Sequence, residues 1–287
     1  MPECLFASDL HGRRDRYEKL FRAIEVERPD AVFLGGDLLP SVSSVYSPTS
    51  NGHEHFVRDY LKQRLKDLRA YLKRAYPRIF LVLGNDDGRL GEADFLSESA
   101  EGLWEYVHNR KVTLEEYSVF GYSYVPPTPF LLKDWEKYDV SRFVDPGCVS
   151  PEEGIRSVPV CSLEVGHSTI KDDLAHLVGE DRMEKTILLF HSPPYETKLD
   201  RAALDGRLVD HVPMDVHVGS IAIRRFIVDR QPLLTLHGHV HESATLTGCW
   251  KDRLERTHMF TAAHEGPELA LVRFDPGRLG EATRELV

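Results

Sequence analysis

Several side chains in this sequence could bind metal ions, and they occur in short segments that each follow an apolar run. Carboxylate, carboxamide and imidazole groups without thiolate suit manganese, iron, zinc or a similar divalent ion. The segments therefore predict a metal site, provided that the fold brings them together. The predicted ligands are Asp9, His11, Asp37, Asn85, His191, His239 and His241.

The number of predicted ligands favours two ions over one. A single divalent ion is satisfied by about three such side chains, whereas two ions about 3.5 to 4 Å apart need roughly twice as many and a carboxylate that bridges them. The seven side chains meet that need and leave one aspartate to bridge. Asp86 and Asp87 follow Asn85 directly in the same segment.

The elements that precede these segments predict an α/β fold. Residues 4–8, 31–37 and 78–87 form near-continuous apolar runs that predict buried strands, and helical periodicity lies between them around residues 17–24 and over 54–75. Buried strands linked by helices indicate a parallel sheet. Ligands bind in such sheets outside the carboxyl ends of the strands, where distant side chains converge.

The second half of the chain is less regular. Alternation over residues 112–125 predicts antiparallel strands, and a proline- and glycine-rich stretch at about 125–165 predicts an irregular insertion. We expect helices at 169–183 and from about Ser220, strands that end at His191 and near His239, and short strands around 243–247, 259–263 and 269–274. Residues 40–52 predict an exposed loop. We predict a single domain over residues 1–287.

Two pairs of predicted ligands are separated by one residue. Asp9 and His11 form one pair and His239 and His241 the other, and in extended backbone such residues point to the same side. We therefore expect each pair to face one ligand site.

In order and spacing, these segments resemble the calcineurin-like metallophosphoesterase family. The family pattern is DxH, GD, GN followed by His and an acid, a lone His, and GHxH, and it corresponds here to segments from Asp9 to His241. The resemblance implies two packed mixed sheets flanked by helices, with the metal centre at strand ends. It also implies a dinuclear metal-dependent phosphoesterase.

The resemblance also implies a role for each ligand. Asp9, His11 and His241 would bind one ion, and Asn85, His191 and His239 the other. Asp37 would bridge them, and a metal-bridging hydroxide would attack phosphorus.

Asp86 departs from the family pattern. It occupies the position where the family often has a histidine that protonates the leaving group, with the next acid, here Asp87, orienting it. The resemblance therefore implies Asp86 and Asp87 as candidate catalytic residues. A carboxyl group with a pKa of about 4 is a poor proton donor at neutral pH. We therefore expect phosphodiesters, or esters with good leaving groups, as substrates. A phosphomonoesterase, a nucleotide pyrophosphatase, or a protein-binding scaffold with a decayed metal centre are the alternatives.

Composition narrows the possible partners. The chain has 36 Lys and Arg against 46 Asp and Glu, and the resulting formal charge of −10 disfavours nucleic acid as a partner. A nuclease stays a further option, because a basic strip within residues 133–159 would permit nucleic acid binding. No apolar run reaches the roughly 18 to 20 residues of a membrane span. Four scattered cysteines and the absence of a secretory signal pattern predict a cytoplasmic protein. We expect a small phosphorylated substrate, and the sequence does not indicate an oligomeric state.

One further segment precedes a predicted helix. Residues 217–220, His-Val-Gly-Ser, could place a phosphate at the amino terminus of that helix. Ordinary capping of the helix by Ser220 is the favoured interpretation.

Overall fold

The computed structural model describes residues 2–41 and 55–287. Most of its strands are four to six residues long, and those that lie centrally in the sheets are buried along their whole length, as the apolar runs predict. The strands are β1 (Cys4–Ala7), β2 (Ala31–Gly35), β3 (Arg78–Val82), β4 (Glu105–Tyr106), β5 (Arg110–Leu114), β6 (Tyr117–Tyr122), β7 (Thr186–Phe190), β8 (Leu208–Val209), β9 (Val212–Pro213), β10 (Leu234–His237), β11 (Lys251–Leu254), β12 (Thr257–Thr261), β13 (Ala270–Phe274) and β14 (Thr283–Leu286).

The helices cover the sheets and are amphipathic where they do so. The first buries the predicted apolar stripe that contains Tyr17, Leu20 and Ile24. A π-helical turn, Phe56–Leu61, leads into the second α-helix, and that helix ends in a 3₁₀ turn, Lys73–Ala75. The α-helices are α1 (Arg14–Glu27), α2 (Lys62–Leu72), α3 (Glu92–Ala100), α4 (Ser162–His167), α5 (Ile170–Val178), α6 (Ile221–Arg230) and α7 (Ser243–Thr247).

The strands form two mixed six-stranded sheets and a small hairpin of β8 and β9. The first sheet has the order β14-β13-β1-β2-β3-β4, and β1, β2 and β3 pair in parallel, which confirms the prediction from their apolar runs. The second has the order β11-β12-β10-β7-β6-β5. In it β6, β7, β10 and β12 are parallel, while β5 and β6 pair antiparallel as the alternation over residues 112–125 predicts.

The two sheets pack face to face over an apolar core. Alternate side chains of a strand point to opposite faces, so each central strand contributes to this core and to an outer layer beneath the helices. The α/β fold of two packed mixed sheets flanked by helices is therefore confirmed. The side chains between the sheets include Phe6, Phe33 and Phe80 from the first sheet and Ile187, Leu189 and Leu236 from the second.

Two predicted elements were wrong in type or length. Residues 243–247, predicted as a strand, form the short helix α7, because the chain turns directly after β10 and Leu246 N donates to Glu242 O at 2.9 Å. The predicted helix 169–183 ends at Val178, where Gly179 takes a positive φ of 47° and closes it.

The predicted insertion at about 125–165 is irregular up to α4 and is tied to α6 by polar contacts. Asp139 accepts hydrogen bonds from Ser220 Oγ at 2.5 Å and from Ile221 N at 2.7 Å, at the amino terminus of α6. Ser220 also caps α6, since its side chain accepts from Ile223 N. The capping prediction is therefore confirmed.

Three further predictions concern a loop, membrane spans and the number of domains. The predicted loop at residues 40–52 lies, beyond Ser41, outside the described residues. In the described ranges, none of the helices combines the length and apolar character needed to span a membrane. The single domain over residues 1–287 stays a prediction.

Candidate metal centre

All seven predicted ligands lie where strands of the two sheets end at their carboxyl side. Asp9 and His11 follow β1, Asp37 follows β2 and Asn85 follows β3. From the second sheet, His191 follows β7, and His239 and His241 follow β10. The sheets pack together along these strands, so loops from both sheets meet at one edge.

Asp9, His11 and His241 form the first group of donors. The Nε2 atom of His241 lies 3.2 Å from Asp9 Oδ1 and 3.1 Å from His11 Nε2. Together with Asp37, these residues offer one ligand atom each within 4.8 Å of one another. Four oxygen and nitrogen donors at such distances are close enough to bind a single divalent ion.

Asn85, His191 and His239 form the second group. The Nε2 atom of His191 lies 3.1 Å from Asn85 Oδ1, and the rings of His191 and His239 are 5.2 Å apart between centroids. The Nδ1 atom of His191 lies 2.7 Å from Gly35 O, which directs Nε2 toward Asn85. An imidazole fixed through one nitrogen in this way is typical of a metal ligand.

Asp37 lies between the two groups. Its Oδ2 atom is 3.4 Å from His191 Nε2 and 3.9 Å from His11 Nε2. Its other oxygen, Oδ1, accepts a hydrogen bond from Asp86 N at 2.8 Å. The side chain is almost entirely buried. A carboxylate that faces one imidazole from each group is well placed to contact both halves of the site.

The backbone at these ligands is not extended. The expectation that extended backbone makes Asp9 and His11, or His239 and His241, point to the same side was therefore wrong. Asp9, His11, Asp37 and His239 all have positive φ, between 48° and 74°. The turn at Asp9 is held by hydrogen bonds from Asp9 N to Gly36 O and from His11 N to Asp37 O. Positive φ is uncommon outside glycine and clusters at functional sites. The His239 and His241 rings also separate, the first against His191 and the second against His11.

Two glycines provide the space that this packing needs. A Cβ atom on Gly36, which has a φ of 94°, would lie 2.5 Å from His191 Nδ1. A Cβ atom on Gly84 would lie 2.3 Å from Asp37 Oδ1. Any side chain at either position would displace a candidate ligand, so the ligand geometry depends on both glycines.

The electrostatics of the site favour bound cations. Burial alone lowers the pKa of His11, but the hydrogen bond with Asp86 and the nearby carboxylates outweigh it and raise the pKa to about 9. Burial also disfavours a charge on His191, but the charge of Asp37 outweighs it and raises the pKa of His191 to about 9. Protons on these imidazoles balance the charge of the carboxylates, and divalent ions would take their place.

The carboxylates show the complementary effect. Burial would raise the pKa of Asp9, yet the hydrogen bond and charge of His241 hold it well below its usual range. Burial also opposes the ionised form of Asp37, but the charge of His191 brings its pKa to about 2. Burial lowers the pKa of His239 to about 3, so its ring is neutral and can donate an electron pair. The donor set therefore fits two divalent ions.

Asp86 contacts a candidate ligand directly. Its Oδ2 atom lies 3.2 Å from His11 Nδ1, and its Oδ1 atom accepts from Ser41 Oγ at 2.9 Å. The carboxylate thus orients the ring of His11, so that Nε2 is directed toward His241 and Asp37.

Asp87 occupies a different environment and is fully buried. Its carboxylate accepts from Gly84 N at 2.8 Å, Leu38 N at 3.1 Å and Leu39 N at 2.7 Å. Burial and the charge of Asp37 raise the pKa of Asp87 to about 7 in spite of these hydrogen bonds. The side chain ties the turn after β3 to the turn after β2, and so supports Asn85 and Asp37.

One polar pair lies in the segment that hydrogen-bonds to the loop after His191, and the sequence did not predict it. His217 Nδ1 lies 2.8 Å from Asp200 Oδ1, and Asp200 is fully buried. The sequence indicated residues 217–220 as a helix cap and as a possible phosphate-binding segment, but it gave no role to His217 itself. No local signal marks the pair, because the residues are 17 positions apart in an irregular stretch.

With this geometry established, the chain can be placed in a family. The family model for calcineurin-like phosphoesterases matches residues 4–243, which include all seven predicted ligands. The chain belongs to the calcineurin-like phosphoesterase family, whose members are metal-dependent phosphoester hydrolases. The resemblance noted in the sequence is thereby confirmed.

Solved structures show the same fold at low sequence identity. One crystal structure has a TM-score of 0.61 and 17% identity, and the alignment covers 100% of this chain and 99% of the other. TT1561 of Thermus thermophilus has a TM-score of 0.55 and 17% identity, with 99% and 98% covered. A novel archaeal phosphodiesterase has a TM-score of 0.45 and 9% identity over 99% of each chain, a likeness too low to carry an argument. No curated protein matches the chain significantly.

Proposed function

We propose that this protein hydrolyses phosphodiesters with two divalent ions held at the candidate metal centre. In this proposal Asp9, His11 and His241 bind one ion. Asn85, His191 and His239 bind the other. The observation that carries the proposal is the position of Asp37 between His11 and His191, where one carboxylate faces both groups of donors.

The residues of the chain orient the ligands and set the charge of the site. Bound divalent ions would lower the pKa of water toward neutrality and neutralise developing charge on the phosphate oxygens. The contact of His11 with Asp86 and that of His191 with Gly35 O fix each ring through Nδ1. Manganese, iron and zinc all suit this donor set.

The preference for diesters rests on the charge of Asp86. Its carboxylate adds a negative charge beside the site, where the family often has a histidine. Its side chain is 31% exposed and contacts His11, one of the candidate ligands. A phosphomonoester dianion carries more negative charge than a phosphodiester monoanion and is repelled more strongly. The substitution therefore favours diesters.

The test compares bis(para-nitrophenyl) phosphate with para-nitrophenyl phosphate, each with manganese, iron or zinc supplied to the metal-free protein. We expect faster cleavage of the diester and no turnover by Asp37→Ala or His239→Ala. Asp229→Asn, which changes an exposed acid on α6, is the matched control and should keep full activity. Preference for the monoester would contradict the diester assignment, and no cleavage of either ester would contradict the proposed activity.

A further inference from the structure

Hydrolysis of an unactivated ester needs a proton for the oxygen that leaves. Asp86, at the position where the family often has a histidine, is engaged with His11 and Ser41 and carries no imidazole proton. We propose that His217, oriented by Asp200, donates the proton to the leaving group. This proposal rests on the proposed function.

The first support is the way in which Asp200 is held. Its Oδ2 atom accepts from Glu196 N at 2.8 Å and Gly219 N at 3.2 Å, and its Oδ1 atom accepts from Thr197 N at 2.9 Å. Both oxygens therefore act as acceptors, so the 2.8 Å contact with His217 requires that Nδ1 of His217 carries the proton.

The second support is that Nε2, the other ring nitrogen of His217, is available to donate a proton. Within residues 2–41 and 55–287, no residue forms a hydrogen bond with His217 Nε2. The side chain is 27% exposed, whereas its partner Asp200 is fully buried. A buried carboxylate behind an imidazole that keeps one nitrogen open is the arrangement by which acids orient catalytic histidines.

The third support is the attachment of this segment to the loops that carry the candidate ligands. Ser220 N donates to Pro193 O at 2.8 Å, two residues after His191. On the other side, Ala203 N donates to Glu242 Oε1 at 3.1 Å, immediately after His241. Both ends of the segment that contains His217 are therefore attached to loops that carry a candidate ligand, one from each group.

A cation lies next to His217. Arg201 and His217 form an antiparallel bridge, which places their side chains side by side on one face. The Arg201 Nη1 atom is buried and finds no hydrogen-bond partner in the described part of the chain, although its Nη2 atom donates to Asp205 at 2.6 Å. A guanidinium group in this position suits an anionic phosphate.

The proposed step is the hydrolysis of a phosphodiester, with each bond and proton accounted for as follows. The oxygen of water bonds to phosphorus, and the bond from phosphorus to the leaving oxygen breaks with its electron pair. The leaving oxygen takes the proton from His217 Nε2, while the Nδ1 proton stays on the hydrogen bond to Asp200. The proton lost by water passes to solvent, and solvent returns one to Nε2.

The experiment uses metal-loaded full-length protein and a series of aryl methyl phosphodiesters, from para-nitrophenyl to unsubstituted phenyl. For His217→Gln we expect kcat on the phenyl ester to fall by roughly 10²- to 10⁴-fold and kcat on the para-nitrophenyl ester to change little, because a good leaving group needs no proton. Asp200→Asn should show the same dependence on the leaving group with a smaller loss. His176→Gln, on the exposed side of α5, is the matched control.

Two further readouts separate this role from a structural one. Metal content and the unfolding midpoint of His217→Gln should equal those of the wild type. In nitrogen-15 NMR of the metal-free wild type, neutral His217 should carry its proton on Nδ1, and Asp200→Asn should lose that preference. A uniform loss across the ester series, no loss, or a proton on Nε2 in the neutral ring would overturn the role of His217. A wild type that cleaves none of the esters would instead overturn the proposed function, and this proposal with it.

Discussion

The Nδ1 atom of His11 lies 3.2 Å from the Oδ2 atom of Asp86, so a candidate metal ligand is oriented by the residue that departs from the family pattern. A carboxylate behind a ligating imidazole fixes the ring and raises its basicity. We therefore expect the charge of Asp86 to strengthen the binding of a divalent ion at the candidate ligands Asp9, His11 and His241.

Removing the charge of Asp86 should weaken metal binding. We expect Asp86→Asn to lower the affinity for manganese by about 10- to 100-fold, because His11 loses its ionised partner but keeps a hydrogen-bond acceptor. Calorimetric titration of the metal-free protein with manganese measures this change. Asp229→Asn should bind as the wild type does, and equal affinity for Asp86→Asn would show that the contact with His11 has no energetic role.

Replacing Asp86 by histidine should change substrate preference. Asp86→His removes a negative charge and introduces an imidazole proton donor, so both effects favour monoesters with poor leaving groups. At saturating metal we expect the ratio of monoester to diester kcat/KM to rise by about tenfold or more. Initial rates with phenyl phosphate and a phenyl phosphodiester give this ratio. An unchanged ratio would mean that position 86 has no influence on proton transfer or on the charge state of the substrate.

Asp37→Asn should affect both halves of the centre. The amide keeps the size of Asp37 but loses the charge that faces His11 and His191. We expect the metal content, measured by mass spectrometry after dialysis, to fall from two ions per chain toward one or none. Asp15→Asn, at an exposed position on α1, should keep two. Two ions in Asp37→Asn would contradict the bridging role.

The clustering of the seven predicted ligands could be predicted from the sequence because each lies within a few residues of the end of an apolar strand. Parallel strands end at the same edge of a sheet, so the apolar runs before Asp9, Asp37 and Asn85 were enough to bring these residues together. The backbone at the turns could not be predicted in the same way. The positive φ of Asp9 and His11 depends on hydrogen bonds to Gly36 and Asp37, which are distant in sequence.

Local sequence patterns also could not predict the polar contacts that support the candidate ligands. Asp86 reaches His11 across 75 positions, and Asp200 reaches His217 across 17. Such pairs arise from the packing of loops, where spacing in the sequence carries no periodic signal. The error at residues 243–247 has a local cause, because the chain turns after β10 and continues into the short helix α7 where we predicted a strand.

His108 should make the protein sensitive to acid. It is buried among Tyr122, Tyr124 and Trp135. Burial, together with nearby cations, lowers its pKa to about 3 from the usual 6.5. The folded state therefore prefers the neutral ring. The stability it contributes is complete above pH 6.5 and is lost as the pH falls toward 3. From pH 7.5 to 5 we expect a loss of about 2 kcal/mol from this residue.

Urea unfolding of the metal-free protein with chelator present measures this effect. His108→Phe removes the titrating group and should flatten the dependence between pH 7.5 and 5 by about 2 kcal/mol. The variant should also be less stable at pH 7.5 by about 1 to 3 kcal/mol, because Ser123 N loses Nδ1 as its acceptor. The same acid dependence in wild type and variant would mean that other groups determine it.

Lys133 and Glu136 should stabilise the irregular region that follows residue 125. Both side chains have no exposed surface, and Lys133 Nζ donates to Glu136 Oε2 and, at 2.9 Å, to Thr128 O. Lys133→Met would leave the Glu136 carboxylate buried without a cation. We expect the free energy of unfolding to fall by about 3 to 5 kcal/mol.

Two variants determine whether burial is the cause of that loss. Lys133→Met combined with Glu136→Gln should recover much of the stability, because the uncompensated charge is gone. Lys185→Met breaks an ion pair with Glu116 whose side chains are 62% and 51% exposed, and it should cost less than about 1 kcal/mol. Urea unfolding compares the three proteins. Similar losses for Lys133→Met and Lys185→Met would contradict the argument, since the two pairs differ above all in their contact with water.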